Sequence, residues 1–139
     1  MSKASSIFFL LIGVVLLVAC SPVSTARPSE MIEGDAARGE ALFHEPAIGQ
    51  APGCSNCHAT AEGMQSLGPT LSSIAQLALP ETGLAAEEDS AEIFLRQAIL
   101  DPRAEIADGY PPMMFDKYAK HLSEQQLADL VAYLLTLKE

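Results

Sequence analysis

Residues 54–58 read Cys54-Ser55-Asn56-Cys57-His58, two thiols three residues apart with an imidazole directly after the second. Thiols at that spacing can each add across one of the two vinyl groups of a single porphyrin. The imidazole that follows then lies beneath the ring, where it can bind iron. This C-x-x-C-H pattern is the attachment signal of a c-type haem, so the chain is expected to fold around a flat apolar cofactor. Zinc would ordinarily want a second pair of ligands, and His44 and His121 are the only other histidines. A redox disulfide would call for a thioredoxin-like βαβ pattern, which the sequence lacks. The reading is haem c, one group, held covalently by Cys54 and Cys57 with His58 on the iron.

Haem is attached covalently outside the cytoplasm, and the N-terminus carries the features of export. Lys3 is followed by an apolar run of 13 residues, Ile7 to Ala19, interrupted only by Gly13. A membrane-spanning helix needs roughly 20 apolar residues, so the shorter run reads as a signal peptide. It ends Leu17-Val18-Ala19-Cys20, which resembles a bacterial lipobox. On that reading residues 1–19 are removed and Cys20 becomes the lipidated first residue. Each buried methylene of its acyl chains contributes about 0.8 kcal/mol to membrane binding. The alternative is an uncleaved anchor with Cys20 as an incidental thiol. Two cysteines for haem and one for lipid account for all three.

Of 139 residues, 120 remain after removal of the leader. Residues 20–33, with Pro22 and Pro28 among serines and threonines, read as a flexible tether. Residues 34–139 form one small domain with a modest core. A porphyrin would add apolar surface to that core, so the haem-free chain is expected to fold poorly. The sequence carries 18 Asp and Glu against 8 Lys and Arg, a net charge of −10. That balance argues against nucleic acid as a partner. It suits a basic redox partner at the membrane surface, or a surface kept acidic for solubility.

The pattern along residues 34–139 is helical, with no strand alternation and no repeat. Asp35 can cap a first helix, in which Gly39 and Phe43 share a face. Gly39 would admit another helix closely and Phe43 would fill the contact. Pro46 and Gly49 end that helix, and residues 50–53 read as a loop. A short helix over residues 72–79 stops at Pro80. Asp89 with Glu92 reads as a capping box for a helix over residues 90–100, closed by Asp101-Pro102. Ser123 with Gln126 is a second capping box. Leu127, Leu130, Val131, Leu134 and Leu135 then make an apolar stripe at helical spacing. Tyr133 can meet the first helix near Gly39 and Phe43.

One histidine leaves a sixth position on the iron. A thioether there raises the potential relative to a second imidazole. Met31 lies in the tether and Met64 is only six residues past His58. Met113 and Met114 lie in a loop fixed by Gly109, Pro111 and Pro112, far enough along the chain to reach round the haem edge. Either could instead be a core gap-filler. His44 and His121 are the rival ligands, and both read as surface residues.

These features together resemble a class I cytochrome c over nearly all of residues 34–139. Gly34-Asp35, Gly39 and Phe43 resemble the family's N-terminal helix, and Cys54–His58 its haem motif. Gly68-Pro69 resembles the segment in which a proline carbonyl accepts a hydrogen bond from the ligand imidazole, which implies Pro69 as a partner of His58. Ile99-Leu100-Asp101-Pro102 with Gly109 to Met114 resembles small cytochrome c domains of bacterial respiratory complexes, including those fused to subunit II of haem-copper oxidases. In those relatives the methionine ligand is usually followed by proline. Phe115 stands in that place, which leaves Met113 or Met114 open, and the spacing from Met114 to Tyr118 fits better. The resemblance implies an all-α fold and single-electron transfer at the outer face of a bacterial membrane, in a respiratory or photosynthetic chain. The alternatives are a bound cytochrome subunit of a larger complex, or a haem enzyme or gas sensor with an open iron site.

Overall fold

The computed structural model describes residues 32–80 and 90–138. Cys20, Met31 and Asp89 lie outside the described residues, as do the leader, most of the tether and the 81–88 linker. Four α-helices, α1 (Ala36–Phe43), α2 (Ile74–Leu77), α3 (Ala91–Leu100) and α4 (Glu124–Leu134), enclose the core. The fold is all-α, and among the described residues the strands are a minimal antiparallel pair, β1 (Ala47–Ile48) with β2 (Ala51–Pro52), joined through Gly49-Gln50. Residues 50–53, expected as plain loop, are half of this hairpin. Two-residue strands are too short for alternation to show, and Pro46 and Pro52 disguise them.

The Asp35 side chain accepts from the Arg38 N–H and so caps α1. The Ser123 hydroxyl accepts from Gln126 N–H, while the Gln126 side chain accepts from Ser123 N–H. This reciprocal box fixes where α4 begins. The N-cap of α3 is Ser90, whose hydroxyl accepts from Ile93 N–H, one residue on from the expected Asp89. A hydroxyl can fill this role as well as a carboxylate.

α1 packs chiefly on α4. At Gly39 the two backbones come so close that a Cβ would sit 1.9 Å from the Asp129 carbonyl oxygen and 2.9 Å from Tyr133 Cβ. Phe43, one turn later, is 2% exposed and meets the Tyr133 ring at 5.5 Å between centroids. Leu127, Leu130, Val131 and Leu134 line the buried side of α4 with Leu95 of α3 and Ala78.

One carboxylate sits in this otherwise apolar contact. Asp129 is 4% exposed, and three groups satisfy it. Arg38 donates through Nε and Nη2 at 2.8 and 2.9 Å, Asp35 N–H at 2.8 Å and Gln125 Nε2 at 2.9 Å. The Arg38 hydrogen bond, opposed by burial, brings the carboxyl down to about 2. Hydrogen bonds to the charged form favour it, so Asp129 is a charged latch between the two ends of the fold.

Two outcomes follow. Gly39→Ala should force the helices apart and cost about 3 kcal/mol, read as a fall in melting temperature of more than about 10 °C. The Asp129 contribution is present above the ordinary carboxylate range, because its folded-state pKa lies below the unfolded one. It is lost as pH falls towards about 2. Asp129→Asn should therefore melt lower than the parent at pH 7, with the gap closing by about pH 2, as measured by thermal scans across that range.

Candidate haem-attachment site

The thiols and the imidazole lie on one tight turn. Gly53 N–H donates to the Pro46 carbonyl at 3.0 Å and Asn56 Nδ2 donates to the same oxygen at 2.9 Å. Both bonds tie the start of the motif to the hairpin. Residues Cys54–Asn56 form a 3₁₀ turn. Cys57 N–H and His58 N–H both donate to the Cys54 carbonyl, at 3.1 and 3.0 Å. Cys54, Cys57 and His58 are therefore joined by backbone bonds to a single carbonyl.

His58 is then bracketed by the chain that follows it. Gly68 N–H donates to the Cys57 carbonyl at 2.8 Å, and Leu71 N–H to the Ala59 carbonyl at 2.8 Å. Of the two residues between these anchors, Pro69 places its carbonyl oxygen 2.9 Å from His58 Nδ1. A carbonyl can only accept, so Nδ1 carries the proton and donates. The lone pair is therefore on Nε2, the tautomer that a metal at Nε2 requires. Gly68 makes the approach possible: a Cβ there would lie 2.7 Å from His58 Cε1.

Both thiols are half-buried and unpaired by disulfide. Burial pushes the Cys54 thiol up to about 11, keeping it neutral at ordinary pH. An open groove of about 600 Å³ beside the motif is lined by His44, Asn56, His58, Met64 and Leu67 among others. Two free thiols and an Nε2 lone pair on one turn are the donors a c-type haem requires, so the chain's chemistry fits the group. Among the described residues no cluster of three or more His, Cys, Asp or Glu could hold a metal ion.

The remaining candidates are spread out. Met113 is 59% exposed, Met114 36% and Met64 61%. His44 caps the end of α1 and is exposed. His121 is half-buried rather than on the surface, because its ring packs on Phe115 at 5.8 Å. Tyr118, which the sequence offered only as a spacing marker, is 5% exposed and donates its hydroxyl to the Pro52 carbonyl at 2.8 Å. Burial, with Cys54 and then Cys57 adding to it, pushes the Tyr118 hydroxyl up to about 12. Its position four residues after Met114 was a usable signal, since a lone tyrosine in a polar stretch needs a buried partner for its ring and hydroxyl.

The family model described as cytochrome c matches residues 36–138. No curated protein matches the chain.

Replacing Gly68 by alanine should push the imidazole off the Pro69 carbonyl. Losing that acceptor weakens His58 as a donor to iron. The holoprotein should show a higher reduction potential than the parent and a shifted Nδ1–H resonance by NMR. An unchanged resonance would mean that the ring keeps its place.

Proposed function

Since the chain belongs to the cytochrome c family, with haem c as its cofactor, we propose that it is a membrane-tethered monohaem electron carrier of a respiratory or photosynthetic chain. The observation that carries this reading is the His58–Pro69 hydrogen bond at 2.9 Å, on the same turn as both thiols. It leaves Nε2 as the only ring nitrogen with a free lone pair. The haem, when bound, supplies a one-electron ferrous/ferric couple.

The chain's own groups have three tasks. Cys54 and Cys57 would hold the cofactor covalently, on a turn tied to the hairpin. His58 is the fifth ligand, oriented by Pro69. Met114 is the sixth ligand, with Met113 as its rival. Thioether and imidazole ligands together would raise the potential, which would suit electron carriage. Met114 is favoured by its lower exposure and by its distance from Tyr118 along the chain.

No helix among the described residues is long and apolar enough to cross a membrane. The anchoring proposal rests on the sequence: export by residues 1–19 and lipidation at Cys20. A two- or three-chain lipid anchor would confine the domain to the outer face of the membrane and raise its effective concentration beside membrane-bound donors and acceptors.

The test is a set of variants made in a host that matures c-type cytochromes. Met114→Ala should abolish the ferric absorbance band in the red that reports iron–methionine bonding and lower the potential, while Met113→Ala leaves both. The reverse pattern would transfer the role to Met113. Cys20→Ser should release the holoprotein from the membrane fraction; retention there would remove the anchoring claim.

A further inference from the structure

The segment that follows Met114 is fastened to the cysteine turn by a relay of side chains. Phe115 packs edge-on against Tyr118, with centroids 5.2 Å apart and planes at 77°. Its ring also lies against His121 at 5.8 Å and 44°. Tyr118 is buried and donates its hydroxyl to Pro52 O at 2.8 Å. Pro52 stands two residues before Cys54. His121 in turn covers Gly49 in the turn of the same hairpin. One ring beside Met114 thus reaches, through two contacts, the hairpin that leads into the first haem cysteine.

Local backbone bonds leave this job undone. The loop between Pro102 and Lys117 has short-range turns, Ala104 N–H to Asp101 O, Tyr110 N–H to Ala107 O and Met113 N–H to Pro111 O. Each closes within the loop and says nothing about where the loop sits on the domain. The Arg103–Asp116 ion pair at 3.0 Å also closes the loop upon itself, and both partners are solvent-exposed. Such a pair contributes little. Among these contacts, only the Phe115 ring ties Met114 to a part of the chain that also bears on Cys54.

We infer that Phe115 is a positioning residue for Met114, locking the methionine segment onto the Ala47–Pro52 hairpin through Tyr118 and His121. This rests on the reading of Met114 as the sixth ligand. A proline in this place would stiffen the backbone through its fixed φ. The phenylalanine achieves stiffness by a different route, a tertiary contact, so its removal should loosen the ligand without altering the local chain. In this role Phe115 acts through Met114.

An incoming imidazole can bind ferric iron only when the methionine has let go, so its apparent affinity measures how firmly the ligand is held. Purified Phe115→Ala holoprotein should bind imidazole roughly three- to tenfold more tightly than the parent, the range expected from losing aromatic packing. The red ferric band should also fade at lower temperature. Phe115→Tyr keeps the ring and should match the parent. Phe115→Leu keeps the bulk without the ring geometry and should fall between, and it serves as the working variant if the alanine form does not mature. Tyr118→Phe removes only the hydroxyl to Pro52 and should shift affinity in the same direction by less. Parent-like imidazole affinity in the Phe115 variants, with Met114→Ala binding imidazole freely, would overturn the positioning role and leave the ligand assignment standing. A parent-like Met114→Ala would overturn both.

Discussion

The arrangement depends on how closely α1 and α4 approach. With no side chain at Gly39, backbone meets backbone, and Phe43 and Tyr133 fill the space beyond. A contact this tight would strand any polar group caught in it. Asp129 is caught there, and its oxygens take hydrogen bonds from Arg38, Asp35 N–H and Gln125. The interface is therefore apolar in bulk and charged at one fully partnered point. Removing one partner would leave a buried charge unsatisfied, a costlier state than an all-apolar contact.

On this frame the cysteine turn and the segments proposed to serve the cofactor are irregular chain. The turn at Cys54–Asn56, the bracket at residues 67–71 and the loop at residues 101–117 contain no α-helix. Each is held instead by specific acceptors: Pro46 O for the turn, Cys57 O and Ala59 O for the bracket, Pro52 O for the tyrosine that supports the loop. Prolines recur among these acceptors. A proline cannot donate, but its carbonyl stays available as an acceptor.

What could be read from residues alone was what is local. The Ser123–Gln126 box, the α4 stripe and the Gly39–Phe43 face each depend on neighbours within a turn or two, and each has its expected form. The start of α3 slipped by one residue because Asp89 and Ser90 both offer a capping oxygen. Long-range pairings were invisible. Nothing near Asp129 in sequence announces that Arg38, 91 residues away, will neutralise it; a lone carboxylate within an apolar stripe was the only sign. The Pro69 contact with His58 was reached through family resemblance, since spacing by itself does not say which carbonyl an imidazole will find. The half-burial of His121 has no local signal, because its partner Phe115 lies in a segment without periodicity.

The Asp35–Asp129 hydrogen bond spans 94 positions of the chain. Joining ends so distant costs chain entropy that rises only slowly with length, but non-local contacts of this kind form slowly. Until the terminal helices dock, everything between them, Cys54 and Cys57 included, belongs to an open loop. In the docked chain the Cys54 thiol is half-buried, and burial pushes it up to about 11. One hydrogen bond thus closes a loop of chain that contains both thiols and the imidazole, so the ends of the domain and its cofactor residues share a single clasp.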